Sequence, residues 1–139
     1  MKKILLTLFV VSVISFSSCG WVGTQRYTCD VDEVESAQIV RLDRYIEEEN
    51  MFEYTILAQI EEYEEFISCL NGLKHRVNWG EPSIMHDQYI VIKVDYKDGN
   101  FDLIHSRAQL FYRLGNYQTG FFFFDEEQFN SLISDYITN

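Results

Sequence analysis

The chain has 139 residues and a formal net charge of −11, with 22 acidic side chains against 11 basic ones. That balance excludes binding to a phosphate backbone as the basis of function, because nucleic acid needs a basic face. A hydrophobic share of 47%, an aromatic share of 16% and a single proline exclude a disordered chain and point to a packed core.

Residues 1–20 read MKKILLTLFVVSVISFSSCG. Lys2 and Lys3 precede an apolar run, Ile4 to Phe16, too short to cross a hydrocarbon core of roughly 30 Å as a helix. A basic start, a short apolar run and the small residues Ser17 and Ser18 have the layout of an export signal. Cys19 follows at once, and the whole resembles a bacterial lipoprotein signal with Cys19 as the acylated cysteine. Phe16 stands where that family usually has leucine. The resemblance implies removal of residues 1–18, a lipid on Cys19 and anchoring on the extracytoplasmic side, at the cytoplasmic membrane or at the outer membrane of a diderm. Two acyl chains are enough for stable anchoring where one is marginal. Without lipidation the same signal would deliver a secreted protein. Processing leaves 121 residues with 9 basic and 22 acidic side chains, a mature charge of −13. That length suits one domain, expected over 34–139.

Residues 19–33 carry little periodicity and read as a lipidated tether, with Trp21 placed to rest at a membrane interface. Arg26-Tyr27-Thr28-Cys29-Asp30 is similar to the opening of the lipoprotein inhibitors of C-type lysozyme, which implies an all-β barrel, a disulfide and a basic enzyme as partner. The similarity covers five residues. The later Ser-Gly-x-Arg-Tyr and Trp-Ser-Lys-Gly segments of that family have no counterpart here, and two predicted helices do not suit a barrel. Beyond the signal, the mature part resembles small exported domains, which brings no function with it.

Glu35 to Arg44 fits either a strand or a helix, and Ile39, Val40 and Leu42 favour a strand; Phe52, Tyr54 and Ile56 alternate with polar residues in a second, the two joined through Glu47-Glu48-Glu49-Asn50 as a hairpin. Glu61 to Asn71 is a predicted helix. Its first turns carry Glu61, Glu62, Glu64 and Glu65, where the helix dipole favours anions, and Gly72 stands as its stop. A short strand falls between Lys74 and Glu81, with Trp79 near its end, and a strong one from Tyr89 to Tyr96. Asp98-Gly99 is a hairpin turn. Phe101 to Leu114 reads as one long return strand with a bulge, because its apolar phase shifts between Leu103 and Ala108. Gly120 to Phe124 is a strand apolar on both faces. The last helix has Asp125 as N-cap, Gln128 completing a capping box, and Phe124 and Phe129 as a hydrophobic staple. The order β-β-α-β-β-β-β-α gives an α+β domain, an antiparallel sheet with both helices on one face.

Cys29 and Cys69 can form one disulfide in an oxidising compartment, joining the N-terminal segment to the first helix. The alternative is two free thiols. His75, His86 and His105 are scattered, with no spacing that predicts a convergent metal site. The glutamates at 61–65 lack the alternating ligands and the glycine of a calcium loop. Asp95 and Asp102 would face each other across a two-residue turn, where like charges call for a cation or a basic partner; a one-residue bulge would offset them. No catalytic motif, cofactor motif or metal motif is recognised. The expectation is a lipid-anchored, non-enzymatic protein-binding module of inhibitor, immunity or envelope-assembly type, with a basic protein as the complementary partner. The alternatives are a small-ligand sensor with an apolar pocket between sheet and helices, or a cell-wall-acting enzyme.

Overall fold

The computed structural model describes residues 26–78, 80 and 84–137. The export signal, Cys19, Trp21 and Trp79 lie outside the described residues.

The strands are β1 (Val34–Ile46), β2 (Met51–Ile60), β3 (His75–Val77), β4 (Ile90–Tyr96), β5 (Phe101–Ile104), β6 (Gln109–Arg113), β7 (Asn116–Thr119) and β8 (Phe122–Phe124). The helices are α1 (Tyr63–Gly72) and α2 (Glu126–Ile137), and a 3-10 turn, Val31–Glu33, leads into β1. Six strands form an antiparallel sheet in the order β2-β1-β4-β5-β6-β7, and β3 pairs with β8 alone. The domain is α+β, with the predicted order of strands and helices. The predicted long return strand folds into more than one element: the phase shift between Leu103 and Ala108 marks a tight turn, closed by His105 N–H to Ala108 C=O at 2.8 Å, rather than a bulge. A second turn at Leu114-Gly115, both at positive φ, then adds β7.

Flat, the edge strands β2 and β7 would lie about 24 Å apart, five spacings of roughly 4.8 Å. Instead the rings of Phe52 on β2 and Tyr117 on β7 lie 6.4 Å apart, centroid to centroid. The sheet is therefore strongly rolled, with a convex and a concave face. Two bulges in the β1–β2 ladder decide which side chains reach the inside. Val40 pairs with Ile56 and Ile39 with Ala58, so Leu57 is extra; Phe52, Tyr54 and Ile56 share the concave side while Ala58 and Ile60 turn to the convex side. Leu42 pairs with Tyr54 and Arg44 with Glu53, so Asp43 is extra and Tyr45, opposite Phe52, joins the concave side.

Both helices cover the convex face. Phe66, Ile67 and Leu70 of α1 and Phe129, Leu132 and Ile133 of α2 pack with Ala37, Ile39, Ile60, Ile92, Val94 and Ile104. The α2 start follows its sequence signals. Asp125 Oδ1 accepts from Gln128 N–H at 3.0 Å, and the Phe124 and Phe129 rings meet at 5.8 Å. Gln128 does not close the box; its Oε1 accepts from Lys74 N–H and so ties α2 to β3. Gly72 is not a stop, since α1 runs through it and turns at Leu73, whose N–H returns to Leu70 C=O. A smaller core, Val40, Leu42, Met85, Val91, Leu103 and Ala108, fills part of the concave side.

Candidate functional site

The segment expected as a free tether is, from residue 26 on, part of the fold. Tyr27 and Cys29 are 5% and 4% exposed. The Tyr27 ring sits among Phe111, Phe122 and Phe124, and its N–H donates to His75 Nε2 at 2.9 Å. His75 Nδ1, 2.9 Å from Leu73 C=O, carries the proton. The expected disulfide is not formed; Cys29 is a buried thiol and Cys69 an exposed one. The same two elements are joined by Asn71 instead, whose Oδ1 accepts from Cys29 N–H and whose Nδ2 donates to Cys29 C=O, each at 2.8 Å. At about 100° per residue, Asn71 and Cys69 lie some 200° apart around α1, so one faces the segment and the other solvent.

Asp102 is the buried charge of the molecule's convex side, 2% exposed. Its Oδ2 accepts from Tyr96 Oη at 2.6 Å and from Tyr27 Oη at 3.3 Å. Arg113 Nη2 meets Oδ1 at 2.6 Å, an ion contact off the N–H axis rather than an aligned hydrogen bond. Burial pushes the Asp102 carboxyl up, against the pull of Tyr96 and Arg113. Burial, with the Asp102 charge behind it, also raises Tyr27 and Tyr96 above the ordinary phenol range. Burial likewise raises the Cys29 thiol, which contacts Tyr96 Oη at 3.3 Å. This carboxyl is closed off from solvent, so it serves as a knot between the N-terminal segment, β4, β5 and β6. The predicted clash of Asp95 with Asp102 does not arise. The turn is a three-residue loop with Gly99 at φ 85°, so Asp95 pairs with Phe101 and Asp102 with Val94, and the two carboxylates project to opposite faces.

On the concave side Asp95 binds Lys93. Lys93 is 8% exposed, its ammonium 5.1 Å from the Phe101 ring centre and 5.5 Å from that of Tyr54. Above this pair lies a cavity of about 240 Å³, lined by Met51, Phe52, Tyr54, Phe101 and Tyr117 among others. A second cavity of about 380 Å³ shares Phe52 and Tyr117 with it and extends to Tyr45, Asn50, Met85, Asp87 and Leu110. Burial and the neighbouring Tyr45 and Tyr112 push Tyr117 up to about 12. The apolar space thus lies inside the rolled sheet and not between sheet and helices, where the ligand-sensor alternative requires it.

A third hollow, about 430 Å³, is lined by Lys74, Arg76 and Arg107 together with Asp125 and Glu126. Arg107 is already paired with Glu126 at 3.0 Å. His86 and His105 both contact the Tyr89 ring, and burial lowers His105. Among the described residues no group of His, Cys, Asp and Glu comes together in a way that could hold a metal ion. Glu61, Glu62, Glu64 and Glu65 are exposed at the start of α1. The concave aromatics were half visible in the sequence, as the Phe52-Tyr54-Ile56 alternation; Tyr45 and Tyr117 were hidden by a bulge and by an unassigned strand. No helix among the described residues is long and apolar enough to cross a membrane. No family model, no curated protein and no solved structure matches the chain.

Proposed function

We propose that this chain is a lipid-anchored, extracytoplasmic binding module that receives a small organic ligand inside its rolled sheet. The observation that carries the reading is the pair of adjoining cavities on the concave face, sharing Phe52 and Tyr117. The larger, at about 380 Å³, has the size of a small-ligand pocket, and aromatic walls with a few polar groups suit one. The anchor rests on the sequence of residues 1–20, with Cys19 as the lipidated residue. The reading is one of binding: among the described residues the carboxyl raised by deep burial is Asp102, sealed in the convex core and away from both cavities.

A second reading, a basic protein as partner, is favoured by the exposed glutamates of α1 and the net charge of −11. One experiment separates the two. Only three methionines occur in the chain, and Met51 and Met85 both line the cavities. With methyl-labelled methionine and isoleucine, a screen of small organic compounds is expected to give saturable shifts at Met51 or Met85, with the convex-face Ile67 and Ile133 methyls unmoved. A partner that docks through the α1 glutamates leaves both methionines in place. Silence of both methyls across the screen would overturn the pocket reading.

A further inference from the structure

We infer that the larger concave cavity selects an organic ammonium, a compact cation with apolar substituents, which deepens the pocket reading and rests on it. Three aromatic rings line the space, which is open to solvent on one side. Tyr45 and Phe52 lie 5.0 Å apart at 51° to one another, and Phe52 and Tyr117 lie 6.4 Å apart at 80°. Rings so inclined cannot all stack on one flat ligand, so a planar aromatic or a sugar ring cannot use all three walls. A rounded group bearing several methyls touches all three. Ring faces carry negative potential and attract a cation, most strongly where water is excluded. The same sheet face already holds one cation this way: the Lys93 ammonium lies near the Tyr54 and Phe101 rings.

Charge completes the argument. Asp87 lines the cavity and makes no ion pair among the described residues. The neighbouring Lys93 is offset by its own carboxylate, Asp95. A free rim carboxylate, aromatic walls and a protein of net charge −11 all favour a positive ligand over a neutral one of the same shape. Met85 and Leu110 supply the apolar floor for its substituents.

The test uses the full chain in a nonionic detergent, read at the Met85 methyl, with choline and its uncharged isostere 3,3-dimethylbutan-1-ol. Choline is expected to shift Met85 saturably and to bind more tightly than the isostere. Asp87→Asn should weaken choline about two- to fivefold, and raised salt should act in the same direction. Tyr117→Leu should weaken it about fivefold while Tyr117→Phe, which keeps the ring, retains it. The cation can be a free solute or a lipid headgroup. A Met85 shift with dissolved choline assigns the solute. A shift only when the micelles are doped with phosphatidylcholine, and not with phosphatidylglycerol, assigns the headgroup. Equal binding of choline and its isostere would overturn the cation inference and leave the pocket standing. No Met85 shift with any of these probes would also overturn it, and the small-compound screen then decides the pocket on its own.

Discussion

The two faces of the rolled sheet are built from the same strands and finished in opposite ways. The convex face is sealed: two helices and the N-terminal segment cover it, and its buried carboxylate Asp102 is met by Tyr27, Tyr96 and Arg113. The concave face is left unfinished, with a small core at one end and cavities lined by aromatic rings at the other. A chain of this size can bury about two thirds of its unfolded surface. This one concentrates that burial on one side of its sheet. The difference teaches where stability and where recognition reside, and it can be broken by substituting one face at a time.

The largest expected effect comes from matched phenylalanines. Phe66 is fully buried beneath α1, edge-on to Tyr136 at 5.0 Å. Phe66→Ala should cost about 3–5 kcal/mol, the usual range for emptying a packed aromatic site. Phe52 on the concave face is half-buried and borders open space on one side. Phe52→Ala should cost about 1–2 kcal/mol yet abolish the ligand-induced shift at Met85. Urea unfolding of the two variants measures the contrast; equal losses would mean that the concave rings are core and not a pocket.

The buried ion pair sharpens the comparison through pH. Arg113→Met leaves the Asp102 carboxylate without its cation, at a cost of about 3–5 kcal/mol at neutral pH. Asp102 already has a raised carboxyl in the folded state, chiefly from burial. A group raised on folding favours the fold below its unfolded value of about 3.9 and loses that contribution as pH climbs through the folded value. Removing Arg113 raises it further, so the deficit of the variant should shrink as pH falls toward 4 and grow as pH rises. Asp43, half-exposed, and Glu53, exposed, titrate with the opposite sign. Hydrogen bonds from Thr55 and Arg41 hold Asp43 low, and those from Arg44 hold Glu53 low, so their contributions fade in acid. Stability of both proteins from pH 4 to 8 checks the sign; a deficit independent of pH would remove Asp102 from the account.

What could be read from the sequence follows range of interaction. The α2 start was legible down to Asp125, Phe124 and Phe129, because capping and stapling are written within five residues. The Asp98-Gly99 turn was legible as a turn, but its register was not. A two-residue loop and a three-residue loop with a left-handed glycine share the same letters, and one residue of slip sends Asp102 into the core instead of opposite Asp95. Leu114 at φ 50°, 91% exposed, is not a residue that announces a turn, so β7 and with it Tyr117 went unassigned. Tyr27 and Cys29 looked like linker because their partners, Asp102, Asn71 and His75, lie more than 40 residues away. The pocket needed all of these at once: two bulges, a turn half-masked by its exposed Leu114, and a roll that no local pattern encodes.

The smallest of the expected effects concerns how the convex face is closed at its margin. Cys29 is held to α1 by both amide groups of Asn71, two contacts of 2.8 Å. These do what a disulfide from Cys29 to Cys69 would have done, without a covalent bond and so without dependence on redox conditions. Asn71→Ala leaves the Cys29 N–H and C=O without those partners and should cost about 1–3 kcal/mol. The loss should be uneven. The Tyr27 ring keeps its three aromatic neighbours, and the sheet keeps its ladders, so global unfolding shifts modestly while the segment from 26 to 30 opens first. Hydrogen exchange at Cys29 N–H, measured beside exchange at Ile92 in the middle of β4, separates local from global opening. Faster exchange at Cys29 with Ile92 little changed identifies Asn71 as the clasp of the segment. Equal acceleration at both would make the segment one cooperative unit with the sheet, and the convex face would then be closed by Tyr27 and Asp102 rather than by α1.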